Sequence, residues 1–190
     1  LFSAYKTYGP HQGIMVVRRA LAELLPNQGH WFNAGSLYKK FTPAGPDHAQ
    51  VAACAGMADY VDALADHHGI DGDIKTRAMG VHDMIRAREV EALQPLLDYL
   101  AEKNSARLIG PSDAGQKAPT VAVELTGPGE PAAAELAKHG IMTGGGDFYG
   151  ARPLQAMGID LDKGVLRLSF VHYTSDAEIN KLITALDAVL

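Results

Sequence analysis

Cysteine and tryptophan each occur once in these 190 residues. A single cysteine excludes an intrachain disulfide framework. It fits a reducing compartment, so a cytoplasmic location is expected. No apolar run reaches the roughly 18 residues that a membrane-spanning helix needs, and no secretory leader is recognisable. Positive charge is in deficit, with 17 Lys and Arg against 22 Asp and Glu and a net charge of -5. Phosphate backbones and anionic bilayers select basic faces, so general nucleic-acid and membrane binding are excluded. The 8 histidines are scattered, without a metal-ligand spacing such as HExxH. An initial methionine is also missing. The sequence opens at Leu1 inside an apolar run, and a longer polypeptide is expected. What is present is ordinary globular composition, 47% hydrophobic and 21% charged, enough for one domain or two small ones.

Patterning predicts alternating elements. Leu1–Tyr5 and Ile14–Val17 read as strands, separated by a Gly-Pro turn at Gly9-Pro10. A short helix over Arg19–Leu25 stops at Pro26. Asn27–Pro46 has no period and forms a long loop, and loops of about 20 residues are usually functional. Asp47 is an N-cap candidate for a helix reaching His67 and ending at Gly69. A second helix is expected over Val81–Lys103, with a kink or break before Pro95. Arg107–Ile109, Thr120–Leu125 and Val165–Val171 read as strands. Pro131–His139 and Asp176–Leu190 read as helices, the last opened by a Ser175/Glu178 capping box.

Three stretches carry candidate chemistry. Lys6 follows an apolar run and has small and hydroxyl-bearing neighbours (Ser3-Ala4-Tyr5-Lys6-Thr7-Tyr8-Gly9-Pro10). A lysine at a strand end that points into a cleft loses solvation, which favours the neutral, nucleophilic amine. Phe41-Thr42-Pro43-Ala44-Gly45-Pro46-Asp47-His48 leads into a helix. Leu166-Arg167-Leu168-Ser169-Phe170-Val171-His172-Tyr173-Thr174 places an arginine within a strand, and a planar guanidinium grips a carboxylate with two parallel hydrogen bonds.

These three stretches, in this order, resemble the class V aminotransferases. That family of fold-type-I pyridoxal-phosphate (PLP) enzymes includes the cysteine desulfurases. The resemblance covers the whole chain and implies an α/β fold. It corresponds to the C-terminal portion only: the end of the large PLP-binding domain, residues 1–75, and a small α+β domain, residues 76–190. It implies that Lys6 forms the internal aldimine and then moves the Cα proton. Ser3 matches a phosphate-binding hydroxyl. Tyr5 stands where the family usually has histidine. Gly45 stands where desulfurases often have threonine, and its backbone N–H would serve instead. Arg167 matches the clamp on the substrate α-carboxylate. Because the family's phosphate site is shared between subunits, a homodimer is implied.

The departures narrow the expectation. Desulfurases need a nucleophilic cysteine on a loop before the last strand. The matching stretch, Gly140–Tyr149, has none, and Gly144–Gly146 within it reads as a flexible substrate-facing loop. Cys54 falls on an apolar helical stripe and reads as a buried small hydrophobe. His30, Trp31 and Phe32 are placed at the cofactor mouth. The expected function is thus a PLP-dependent aminotransferase acting on a small amino acid. A cysteine desulfurase or selenocysteine lyase, and a non-catalytic dimerising fragment, stand as alternatives.

Overall fold

The computed structural model describes residues 1–42 and 45–190. The chain divides into two compact units, Leu1–Val81 and His82–Leu190.

The first unit opens on a minimal hairpin. β1 (Phe2–Ser3) pairs antiparallel with β2 (Gly13–Ile14). The expected strand over Leu1–Tyr5 is thus cut short. At Ala4 the chain turns into a single 3-10 turn that ends at Lys6. The Ala4 carbonyl accepts from the backbone N–H of Thr7 and of Gly9 and from the Thr7 hydroxyl. That convergence of donors explains why the extended backbone stops there. The second strand also ends early, and Val16 is 81% exposed. α1 (Arg19–Leu24) follows and ends before Pro26 as expected. Asp47 caps α2 (His48–Ala53), accepting from the Gln50 N–H at 3.1 Å. The helix expected from there to His67 is split at Cys54, and α3 (Ala55–His67) begins beyond it. Gly69 then takes a φ of +65°, which ends the run.

α4 (Ile74–Ala101) begins within the first unit and continues into the second. In the first unit its Arg77 pairs with Asp66 at 2.8 Å and Asp62 at 3.2 Å on α3. Pro95 does not break it. An interior proline removes one hydrogen bond and costs about 3 kcal/mol. Leu93, Leu96, Leu97 and Leu100 surround it and are all but fully buried. Each buried leucine contributes about 2 kcal/mol, so packing outweighs the lost bond.

The second unit is a four-stranded antiparallel sheet in the order β3-β4-β6-β5. β3 is Ala106–Ile109, β4 Thr120–Leu125, β5 Gly144–Gly146 and β6 Val165–Ser169. α5 (Gly129–Lys138) lies between β4 and β5, α6 (Ala151–Ala156) between β5 and β6, and α7 (Asp176–Leu186) after β6. β4 alternates buried and outward residues, burying Val121, Val123 and Leu125. These meet the α4 leucines, Leu136 of α5 and Leu186 of α7 in one core. The Ser175/Glu178 capping box of α7 is formed in both directions.

Candidate functional site

The lysine loop rests on α3. A β-carbon at Gly9 would lie 2.5 Å from the Met57 sulfur and 2.9 Å from the Ala4 carbonyl oxygen. Only glycine permits so close an approach. The next ring along, Tyr8, packs against Tyr60 at 5.2 Å. Tyr5 stacks face to face on His11, with ring centroids 4.6 Å apart. Lys6 ends the 3-10 turn and is exposed, rather than pointing into a cleft from a strand end. Its Nζ sits 5.7 Å from the Tyr5 ring centroid and has no carboxylate partner among the described residues. Ser3, half-buried at the end of β1, makes no side-chain cap on that turn.

The second motif approaches the same loop. Gln12 and Gly13 share a cavity of about 660 Å³ with Phe41, Thr42 and Pro46. Pro43 and Ala44 of this motif lie outside the described residues. Gly45 is exposed, and no atom stands within 4 Å of where its β-carbon would be. A second cavity, about 320 Å³, is lined by Gly45, Pro46, His30 and Phe32. His30 and Phe32 are stacked at 5.0 Å, whereas Trp31 beside them is 84% exposed. Of the three aromatics, His30 and Phe32 line this cavity and Trp31 does not.

This set of groups suits PLP. A free amine, a hydroxyl at Ser3, a phenol at Tyr5 and an open backbone N–H at Gly45 supply one nucleophile and several donors for a phosphate. Steric room exists beside Gly45. Lys6, Ser3, Tyr5 and Gly45 are the residues that, by the resemblance, would hold the group; of the four, Gly45 lines the smaller of the two cavities and the other three line neither.

Arg167 lies in the second unit, on β6 opposite Gly144 of β5. The residue is exposed, and its Cζ sits 4.0 Å from the Phe148 ring centroid. Gly144–Gly146 is not a flexible loop but the edge strand β5. Gly145 is required sterically. A β-carbon at Gly145 would fall 2.2 Å from the Glu130 backbone nitrogen of α5. The turn that follows is strained, with Phe148 at φ +51° and Tyr149 at φ +62°. Each such position costs about 1 kcal/mol or more for a residue with a side chain. No sequence pattern announced Phe148; its left-handed backbone shows only in three dimensions. Cys54 is half-buried at the joint between α2 and α3, its thiol donating to the Gln50 carbonyl at 3.4 Å. Among the described residues no cluster of His, Cys, Asp and Glu is arranged to hold a metal ion.

No protein-family model matches the chain. Two curated fungal proteins align along its entire length. The aminotransferase-like protein FGM3 of Gibberella zeae is 28% identical and the cysteine desulfurase-like protein ustD of Aspergillus flavus is 26% identical. The chain spans 45% and 42% of those proteins, less than half of each. The cysteine desulfurase CsdA of Escherichia coli superposes on 98% of the chain with a TM-score of 0.71 at 20% identity. A NifS-like protein superposes on 99% with a TM-score of 0.68 at 17% identity. Each match covers 44% of the solved chain. The resemblance read from the sequence stands: the relatives are aminotransferase-like and cysteine desulfurase-like, and the fold is that of the C-terminal part of a fold-type-I enzyme.

Proposed function

We propose that this chain forms the C-terminal part of a PLP-dependent aminotransferase acting on a small amino acid. The observation that carries the reading is the shared cavity within residues 1–81, where Gln12 and Gly13 of the lysine loop meet Phe41, Thr42 and Pro46. The relatives' names support it. When bound, PLP supplies an electron sink for a bond at the amino acid's Cα. The chain's own residues do the rest. Lys6 anchors the cofactor and then takes and returns the proton at Cα. Ser3 and Tyr5 donate to the phosphate, and Gly45 donates from its backbone across a homodimer. Arg167 binds the α-carboxylate with its in-plane N–H groups and so selects which Cα bond is aligned for reaction.

Aminotransfer is preferred to desulfuration because Gly140–Tyr149 has no thiol, and the lone Cys54 donates to a helix carbonyl elsewhere. The test has two arms. The whole protein supplied with PLP is expected to show a visible absorbance band that borohydride removes and Lys6→Ala abolishes. A folded, PLP-supplemented protein without that band overturns the reading. Sulfide release from L-cysteine that survives Cys54→Ala would favour the lyase instead.

A further inference from the structure

We propose that Phe148 is a positioning residue that pre-sets the Arg167 guanidinium for an α-carboxylate; the inference deepens the function proposed above and rests on it. Three features of the second unit converge on it. First, the ring covers one face of the guanidinium, with Cζ 4.0 Å from the centroid. Stacking uses the face of the group, while all its N–H donors lie in its plane and stay open. No carboxylate or hydrogen-bond acceptor engages the Arg167 guanidinium among the described residues, whereas Arg77, Arg88 and Arg107 are each held in ion pairs.

Second, the backbone delivers the ring at a conformational cost. Phe148 and Tyr149 both occupy the left-handed region. The turn is fixed from one residue: Asp147 accepts the Tyr149 N–H at 3.1 Å through its carboxylate and the Gly150 N–H at 2.7 Å through its carbonyl. Tyr149 itself is fully exposed, so the strained turn serves the placement of Phe148. Third, the residue opposite Arg167 on β5 is Gly144, and a β-carbon there would lie 3.0 Å from Phe148 Cε1 and Cζ. The glycine leaves room for the ring. An exposed arginine otherwise surrenders side-chain freedom when it binds; one already held on a face surrenders less.

The test uses the whole protein supplied with PLP. Phe148→Leu is expected to raise KM for the amino acid about fivefold, the size of a lost exposed cation–π contact, with kcat within about twofold. Phe148→Tyr keeps KM near wild type. Gly144→Ala reproduces the KM defect by displacing the ring. In an Arg167→Lys background, Phe148→Leu adds nothing further. Independently of activity, the Arg167 Nε–H proton resonance moves downfield in Phe148→Leu, because the ring no longer shields it. An unchanged KM in folded Phe148→Leu, or a defect that persists in the Arg167→Lys background, overturns the role of Phe148. If Phe148→Leu fails to fold, Gly144→Ala and Phe148→Tyr decide by the same criteria. An Arg167→Lys protein with unaltered KM instead overturns the clamp itself, and with it the reading beneath this one.

Discussion

The two units bury very different things. In the second, ten leucines and valines from α4, β4, β6 and the flanking helices are almost completely buried and form one core. In the first, burial among the described residues is limited to Ala4, Ala22, Ala65 and Val81, while Leu24, Trp31 and Tyr38 are each more than three-quarters exposed. Apolar burial supplies most folding free energy, so the second unit is held by its core. The first is held by backbone convergence on the Ala4 carbonyl, by the Asp47 cap and by the Arg77 ion pairs. The candidate PLP residues lie in the less buried unit, and the candidate clamp lies on the sheet of the better packed one. The lysine loop is built from hydrogen bonds; the candidate clamp arginine stands on a core.

The sharpest way to break this contrast is a matched pair of truncations. Leu97→Ala is expected to destabilise the second unit by about 3 kcal/mol, and Leu24→Ala to change stability by less than about 0.5 kcal/mol. Hydrogen exchange resolves the two units separately, and Trp31, the sole tryptophan, reports on the first by fluorescence. Equal losses would end the comparison. A matched glycine pair is next. Gly145→Ala drives a methyl into the α5 backbone and costs about 2 kcal/mol, whereas Gly45→Ala meets nothing and is near neutral in stability.

Caps should act alike in both units. Ser175→Ala and Asp47→Ala are each expected to lower stability by about 1 kcal/mol, measured as exchange protection of the first turn. The smallest effect is acid sensitivity. Hydrogen bonds from Ser175 hold the Glu178 carboxyl below its ordinary value of 4.5. Those from Lys103 and Tyr99 hold Asp187 below 3.8. A carboxyl lowered by folding stabilises above its ordinary pKa and loses that contribution as pH falls through the lowered one. Denaturation midpoints of the second unit should therefore drop on acidification below about pH 4.5, and less steeply in Glu178→Gln.

Much of the second unit was legible in the sequence because burial there follows period. Thr120–Leu125 alternates and Ser175/Glu178 brackets a helix start, and both formed as read. The misreadings have separate causes. Pro95 should interrupt α4, but its leucine neighbours are buried on the sheet. Gly144–Gly146 has no side chains to show a period, so an edge strand looked like a loop. Leu1–Tyr5 reads as a strand until the Ala4 carbonyl collects its donors. At the site, residue types and order pointed to Lys6, Gly45 and Arg167. Phe148 could not be found, because nothing in a sequence marks a phenylalanine whose φ is positive.

The glycine edge has one more consequence. β5 is an outer strand of its sheet, three residues long, and its last residue, Gly146, sits at φ +132°. Growth of a sheet by addition of a foreign strand needs a row of free backbone groups in extended geometry. β5 offers almost none, and Phe148 and Tyr149 bend the chain away directly after it. The same turn that carries the ring to Arg167 thereby blunts this side of the sheet against edge-to-edge aggregation, leaving β3, with the charged Arg107 upon it, as the longer exposed edge.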